Sequence, residues 1–322
     1  MTTPLPRTPV RIDGLFDDPD VVEQLLVQHA PYWPVQRYFE NRAEYAALSG
    51  SPGGAPMVVG PVFRGDWAFD GDVREGVQAI LDHPALSEAA RQVFHAEIVR
   101  PHTVYVNLTH QLPFPQGRGH TDIPAFRGFD RTTIPVAFLT IMGQSRLFED
   151  VRVKVATAVA WFYDGDDGGF EYWPDGGDQP PIVHEGSITN TAVVADNDFM
   201  WHRVRPTGRP EDGLPSLTLD SQLEHRAGDR WAIVDGERTV AETDRRGLRV
   251  SLSWKATVFE DDADRRRHDE HLEDIDLATV LDRFRSDLEQ RGTPVTIPAD
   301  PLRDPAFIQA LVDAYVRFPV GT

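Results

Sequence analysis

Along the first hundred positions, apolar residues recur at helical spacing between prolines. Val21, Val22, Leu25 and Leu26 follow Asp20, and Val73, Val77, Ile80 and Leu81 repeat the pattern. The reading is a helical cover over residues 1–97. From 98 to 259 the period shortens to β-branched and aromatic runs between Gly, Pro and Asp clusters: TVYVNL, IPVAFLTI, TAVAWFY, TAVVA, SLTLDSQL, RWAIV, RTVAE and RVSLSWKATVF. Short strands without long helices between them predict a sandwich or jelly roll rather than alternating βαβ units, with one short helix at about 142–150. Residues 260–322 turn charged and then helical. Leu272, Ile275, Val280, Leu281, Phe284 and Leu288 share one side before Gly292, and Pro305 opens a last helix with Phe307, Ile308, Leu311 and Tyr315. These apolar helices are expected to pack on the sheet or to form a dimer contact. The expectation is one mainly β domain with flanking helices around a jelly-roll core.

Composition narrows the chemistry. With 322 residues and 40% hydrophobic content the chain can bury an ordinary core. No apolar run reaches the roughly 18 residues that cross a bilayer, and the N-terminal stretch MTTPLPRTPVRIDG lacks a secretory pattern, so a cytoplasmic location and no membrane partner are expected. A formal charge of −19 and the absence of a basic stripe speak against a nucleic-acid partner and for a small-molecule or peptide partner, with a small-molecule substrate preferred. The absence of cysteine removes disulfides, iron–sulfur clusters, thiolate haem and Cys nucleophiles at once. Any metal must sit on His, Asp or Glu. Lys occurs only at 154 and 255, a bias that reads as genome composition.

His-x-Asp/Glu is a common pairing, so context decides. His268 with Glu270 and His271 with Glu273 lie in the charge run DDADRRRHDEHLED, which reads as a solvated helix face. His120 and Asp122 sit in PFPQGRGHTDIPAFRG, after an alternating strand in which Val104, Val106 and Leu108 face one way and Tyr105, Asn107 and Thr109 the other. On extended chain, positions i and i+2 share a face, so both can close on one ion. His202, in VVADNDFMWHRVRP and 80 residues past Asp122 (202 − 122), offers a third ligand. Two imidazoles and one carboxylate form a facial triad that leaves the opposite face of the ion open.

At this point the chain resembles the 2-oxoglutarate and iron(II)-dependent oxygenase superfamily. Four pieces carry the resemblance in order: HTD at 120–122, WFYDGDDGGFEYWPDG at 161–176, HRVRP at 202–206 and RVSLSW at 249–254. It implies a double-stranded β-helix, a cupin-like jelly roll, with iron(II) on His120, Asp122 and His202. It also implies that Arg249 holds the far carboxylate of 2-oxoglutarate through paired N–H donors, with Ser251 and Asn107 beside it. The 47 residues from His202 to Arg249 (249 − 202) exceed the spacing of many members. The excess reads as a hairpin at 229–244 around Asp235-Gly236, placed near the mouth of the barrel as a substrate lid. Arg205 and Arg209 are alternative anchors, with Arg245 and Arg246 as nearby competitors.

The implied reaction couples decarboxylation of 2-oxoglutarate by O2 to oxidation of an unactivated C–H bond, in natural-product or amino-acid tailoring. A carboxylate at 122 favours hydroxylation, desaturation or oxidative ring closure over halogenation. Arg127 is a candidate for a substrate carboxylate, and Tyr105, Trp161, Tyr163 and Trp173 for cavity walls, although strand aromatics are more often core. Two other readings stay open. One is a cupin-type dioxygenase or isomerase that uses the triad without 2-oxoglutarate; the other is a jelly roll that only binds.

Overall fold

The computed structural model describes residues 5–38, 59–114 and 117–320. In chain order, β1 (Val10–Asp13), α1 (Asp20–Gln28), β2 (Trp33–Pro34), β3 (Val62–Phe69), β4 (Asp72–Val73), α2 (Gln78–Leu81) and α3 (Pro84–Phe94) precede the long strand β5 (Ile98–His110). An excursion follows through β6 (Ala125–Phe126), α4 (Val136–Ser145) and β7 (Arg152–Val153). The chain then forms β8 (Val155–Phe162), β9 (Phe170–Tyr172), β10 (Ile182–His184), β11 (Thr191–Ala195) and β12 (His202–Val204). β13 (Gln222–His225), β14 (Arg230–Asp235) and β15 (Arg238–Asp244) lead into β16 (Leu248–Phe259), followed by α5 (Asp262–Asp269), α6 (Leu277–Gln290) and α7 (Pro305–Tyr315).

The main sheet runs β1-β11-β8-β16-β5-β3-β2, with β4 on β3. A smaller sheet runs β10-β9-β12 and is extended by an antiparallel bridge between His120 and His202. The order β11-β8-β16-β5 set against β10-β9-β12 and the segment at 120 is a double-stranded β-helix. Trp161 of the large sheet meets Phe170 of the small one with ring centres 5.1 Å apart, so the two sheets enclose one interior.

Alternation along β16 sorts its residues. Leu248, Val250, Leu252, Trp254, Ala256 and Val258 enter a core on the outer side of the sheet, beneath α1, α2 and α3. Trp254 fixes that packing by donating its indole N–H to the Leu81 carbonyl at 2.8 Å. Arg249, Ser251, Ser253 and Lys255 face the interior between the sheets. Burying each large apolar side chain on the outer side contributes about 1.5–3 kcal/mol, which holds the polar face in register.

Several expectations are corrected. IPVAFLTI is not a strand: Val136–Ser145 is helical, and its burial on almost every side erases the periodicity that separates helix from strand. SLTLDSQL is irregular up to Gln222. The first hundred residues add strands β1 and β3 to the main sheet as well as helices. The hairpin turns at Asp235-Gly236 as expected, yet it is no lid. Trp231 and Ile233 are buried in the outer core with Leu223 and Tyr32, because the insert's large apolar side chains need that core more than the mouth. The C-terminal helices α6 and α7 pack with α4, Phe126 and Phe148 in a second core. In α6, Asp276 caps Thr279 N, and Val280, Phe284 and Leu288 form the buried stripe.

Candidate metal centre

His120 and His202 exchange two backbone hydrogen bonds of 2.9 Å each, which brings their ring centres to 4.4 Å. Gly119 permits this approach: its φ is +86°, and a Cβ there would lie 3.1 Å from the His202 carbonyl oxygen. Asp122 is fixed by its own N–H, which donates to the Asn197 carbonyl at 2.8 Å. One ligand atom from each of His120, Asp122 and His202 lies within 4.8 Å of the others. Among the described residues no second group of this kind occurs. His268 and His271 stand apart from it, on the charged C-terminal segment.

The donor set suits a divalent ion. His202 Nδ1 is 3.0 Å from the Met200 carbonyl, which can only accept, so the neutral ring carries its proton there and turns a lone pair at Nε2 toward Asp122 Oδ1, 3.7 Å away. Burial, helped by the neighbouring His202, pulls His120 down to about 3, and burial lowers His202 as well, so both imidazoles stand in the metal-ready neutral form. For Asp122, burial pushes upward, but the Lys255 ammonium and His202 outweigh it and hold the carboxyl below its ordinary range. Lys255 Nζ donates to Asp122 Oδ2 at 2.7 Å, and Thr157 Oγ1 donates to the same oxygen at 3.2 Å. The burial that lowers the Lys255 ammonium is overcome by Asp122, which raises it.

At the other end of the same face, Arg249 is 2% exposed. Its Nε donates to the Gly168 carbonyl, and its Nη2 is buried without a partner. Burial lowers this guanidinium to about 10. A buried cationic nitrogen with nothing to bond is costly and calls for an anion. Gly168, at φ +64°, leaves the space: a Cβ there would stand 2.7 Å from Arg249 Cδ. The register sets Asn107 opposite Ser251, one step along the face from Arg249, and Asn107 Oδ1 is also buried without a partner. The competing arginines are engaged elsewhere or exposed. Arg205 pairs with Glu185, Arg209 with Asp212 and Arg245 with Glu23, while Arg246 is exposed.

The other sequence candidates divide. Tyr105 lies on the interior face opposite Ser253, beneath Arg64, whose guanidinium carbon is 3.8 Å from the ring centre. Trp161, opposite Ser251, packs on Phe170 and His184 as part of the interior wall. Tyr163 bonds Asp167 and closes the Arg249 end. Trp173 does not reach the mouth. It alternates with Tyr172, the partner of His202, and so turns to the outer face, where Arg203 covers it at 5.5 Å. Arg127 is not brought to the triad either: it donates to the Asp150 carbonyl and lies 3.6 Å from Glu273, drawn off by the second core. A cleft of about 300 Å³ lined by Glu23, Tyr163 and Arg245 opens beyond the Arg249 end, not over the triad.

Sequence reasoning missed Thr157, Lys255 and Arg64. For Lys255 a signal existed, since it stands on the face of Arg249 in RVSLSWK. It also missed the support under Asp122. There the buried Arg152 holds Asp196 at 2.9 and 2.6 Å, and burial raises the neighbouring Asp198 to about 8.

No family model and no curated protein matches the sequence. Solved structures do. The chain is similar to an oxidoreductase of the 2OG-Fe(II) oxygenase family from Burkholderia pseudomallei at 13% identity, covering 79% of this chain and 88% of that one, with a TM-score of 0.40. It is similar to the non-haem α-ketoglutarate-dependent epimerase SnoN of nogalamycin biosynthesis at 12% identity, covering 78% and 77%, with a TM-score of 0.39. HygX from Streptomyces hygroscopicus, with nickel, 2-oxoglutarate and hygromycin B bound, matches at 9% identity over 79% and 85%, with a TM-score of 0.38.

Proposed function

We propose that this chain is an iron(II)- and 2-oxoglutarate-dependent oxygenase that oxidises an unactivated C–H bond of a small molecule. One observation carries the reading. Three ligand-type atoms converge within 4.8 Å on an interior face whose other end holds a buried guanidinium with a partnerless Nη2. His120, Asp122 and His202 hold the ion, and Arg249 with Ser251 and Asn107 receives the far carboxylate of the co-substrate. With iron(II), 2-oxoglutarate and O2 bound, the centre supplies the oxidising power for C–H cleavage and releases succinate and CO2.

The remaining roles fall to the chain. Trp161, Phe170, Tyr172 and Met200 form a dry wall on one side of the triad, which limits water and strengthens the electrostatics within. On the other side Tyr105, Arg64 and Asp66 are only half-buried, so the substrate enters over β5 and β3. The half-buried Arg64 and Asp66 favour a polar substrate there. Hydroxylation, desaturation and ring closure all fit this arrangement.

The test is anaerobic reconstitution with iron(II), addition of 2-oxoglutarate and observation of the weak visible charge-transfer band of the chelate. The band should appear, and Arg249→Ala should require a higher 2-oxoglutarate concentration to produce it. Loss of a charge-assisted hydrogen-bond pair costs about 1.5–3 kcal/mol, roughly one to two powers of ten in that concentration. Iron bound without the band would favour a cupin-type enzyme that chelates its substrate directly.

A further inference from the structure

Asp122 does not offer its two oxygens equally. Oδ1 faces His202 Nε2 at 3.7 Å, while Oδ2 is taken by Lys255 at 2.7 Å and Thr157 at 3.2 Å. The ammonium is held in place from its own strand. Lys255 pairs with Thr157 on β8 and Thr103 on β5, in the middle of the main sheet, so it cannot swing away without leaving the interior face. The chain otherwise uses Arg almost throughout, with Lys only at 154 and 255. A compact ammonium bonds one oxygen as a point charge, whereas a guanidinium fork would tend to take both.

We propose that Lys255 is a positioning residue that restricts Asp122 to a single ligating oxygen and, as an internal counter-charge, weakens metal binding in exchange for an open coordination position. The inference rests on the reading of His120, Asp122 and His202 as a metal centre. Without the ammonium, Oδ2 would keep only the 3.2 Å hydrogen bond from Thr157 and could turn to join Oδ1 on the ion, and a cation that repels the incoming dication would be gone. A half-buried carboxylate that has lost its counter-charge and keeps only Thr157 also makes the metal-free protein less favourable, which the ion would relieve. These effects act in one direction. Against them stands only the freedom regained by one carboxylate side chain, a small cost.

The experiment is titration of the metal-free protein with Mn(II), counting free ion by electron paramagnetic resonance, in wild type, Lys255→Met and Lys255→Gln. Wild type should bind one ion. Lys255→Met should bind it more tightly, by on the order of tenfold, the scale on which groups behind the ligands change affinity. Lys255→Gln keeps a donor beside Oδ2 without the charge and should fall between, which provides a second reading should the Met variant not fold. A purely structural role predicts the opposite sign, because a loosened site binds less. Unchanged or weaker binding in the neutral variants would overturn the role of Lys255 and leave the metal centre standing; no binding in wild type would remove the metal centre itself.

Discussion

Two positions on one face of β16, Lys255 past its middle and Arg249 at its start, carry the same kind of residue in opposite states. Lys255 and Arg249 lie six residues apart on one face, about 20 Å along the strand. Lys255 is satisfied, its charge cancelled by Asp122 at 2.7 Å. Arg249 has a backbone carbonyl on Nε and nothing on Nη2. The first end is a neutral set with two lone-pair imidazoles, ready for a cation. The second is a cation short of an anion. A dication beside Asp122 and an anion on Arg249 would complete the charge balance of the whole face, which is why the pair says more than either position alone.

The sharpest way to break this comparison is to remove a ligand. Asp122→Ala should leave the half-buried Lys255 without its partner and abolish both metal binding and turnover, while His202→Ala should abolish them with the Lys255 ion pair intact. A Mn(II) titration and succinate release check both variants, and wild-type-like turnover in either would end the triad assignment. Stability separates the two, since only Asp122→Ala leaves a charge unpaired; with Lys255 21% exposed, solvent holds that cost below the roughly 3–5 kcal/mol of a fully buried charge.

The fold was readable because β16 alternates cleanly. In RVSLSWKATVF every second residue is apolar, and the structure buries that set in the outer core. The meeting of His120 with Asp122 was readable for the same reason, as a two-residue step on extended chain. Other features had no such signal. IPVAFLTI is apolar on all sides, so it carries no period, and only tertiary packing makes it helical. Trp173 follows a strand of three residues, too short for its phase to be read, and it is buried on the far face of that strand under Arg203. Arg127 was displaced by the second core, and Lys255 gained its meaning from Asp122, 133 residues away. Strand pairing over such separations is set by packing and is not written locally.

A smaller effect sharpens the comparison by disturbing only the Arg249 end. Gly168→Ala places a Cβ 2.7 Å from Arg249 Cδ and 2.9 Å from Thr207 Oγ1, at φ +64°. Left-handed strain and overpacking together cost about 2–4 kcal/mol. The guanidinium should shift, and the 2-oxoglutarate requirement should rise while the Mn(II) affinity stays at the wild-type value. A loss of metal affinity in this variant would show that the two ends are not separable.

The smallest effect comes from the metal end and reads its charge from outside the triad. His102 is pulled down to about 4, first by burial and then by the Lys255 and Arg100 charges. Its folded value lies below that of the unfolded chain, so the unfolded state takes up the proton first. The associated stability is therefore complete above about pH 6.5 and lost as the pH falls toward 4, by at most about 1.4 kcal/mol per unit. Urea unfolding of wild type and His102→Gln between pH 7.5 and 5 isolates the contribution, since the variant keeps a polar side chain and cannot titrate. Wild type should lose stability faster than the variant below pH 6.5, by about 1 kcal/mol at pH 5.5. In a Lys255→Met background the gap should narrow, because one of the charges that depresses His102 is absent; a gap of the same width would mean that burial and Arg100 set it and that the Lys255 charge is spent entirely on Asp122.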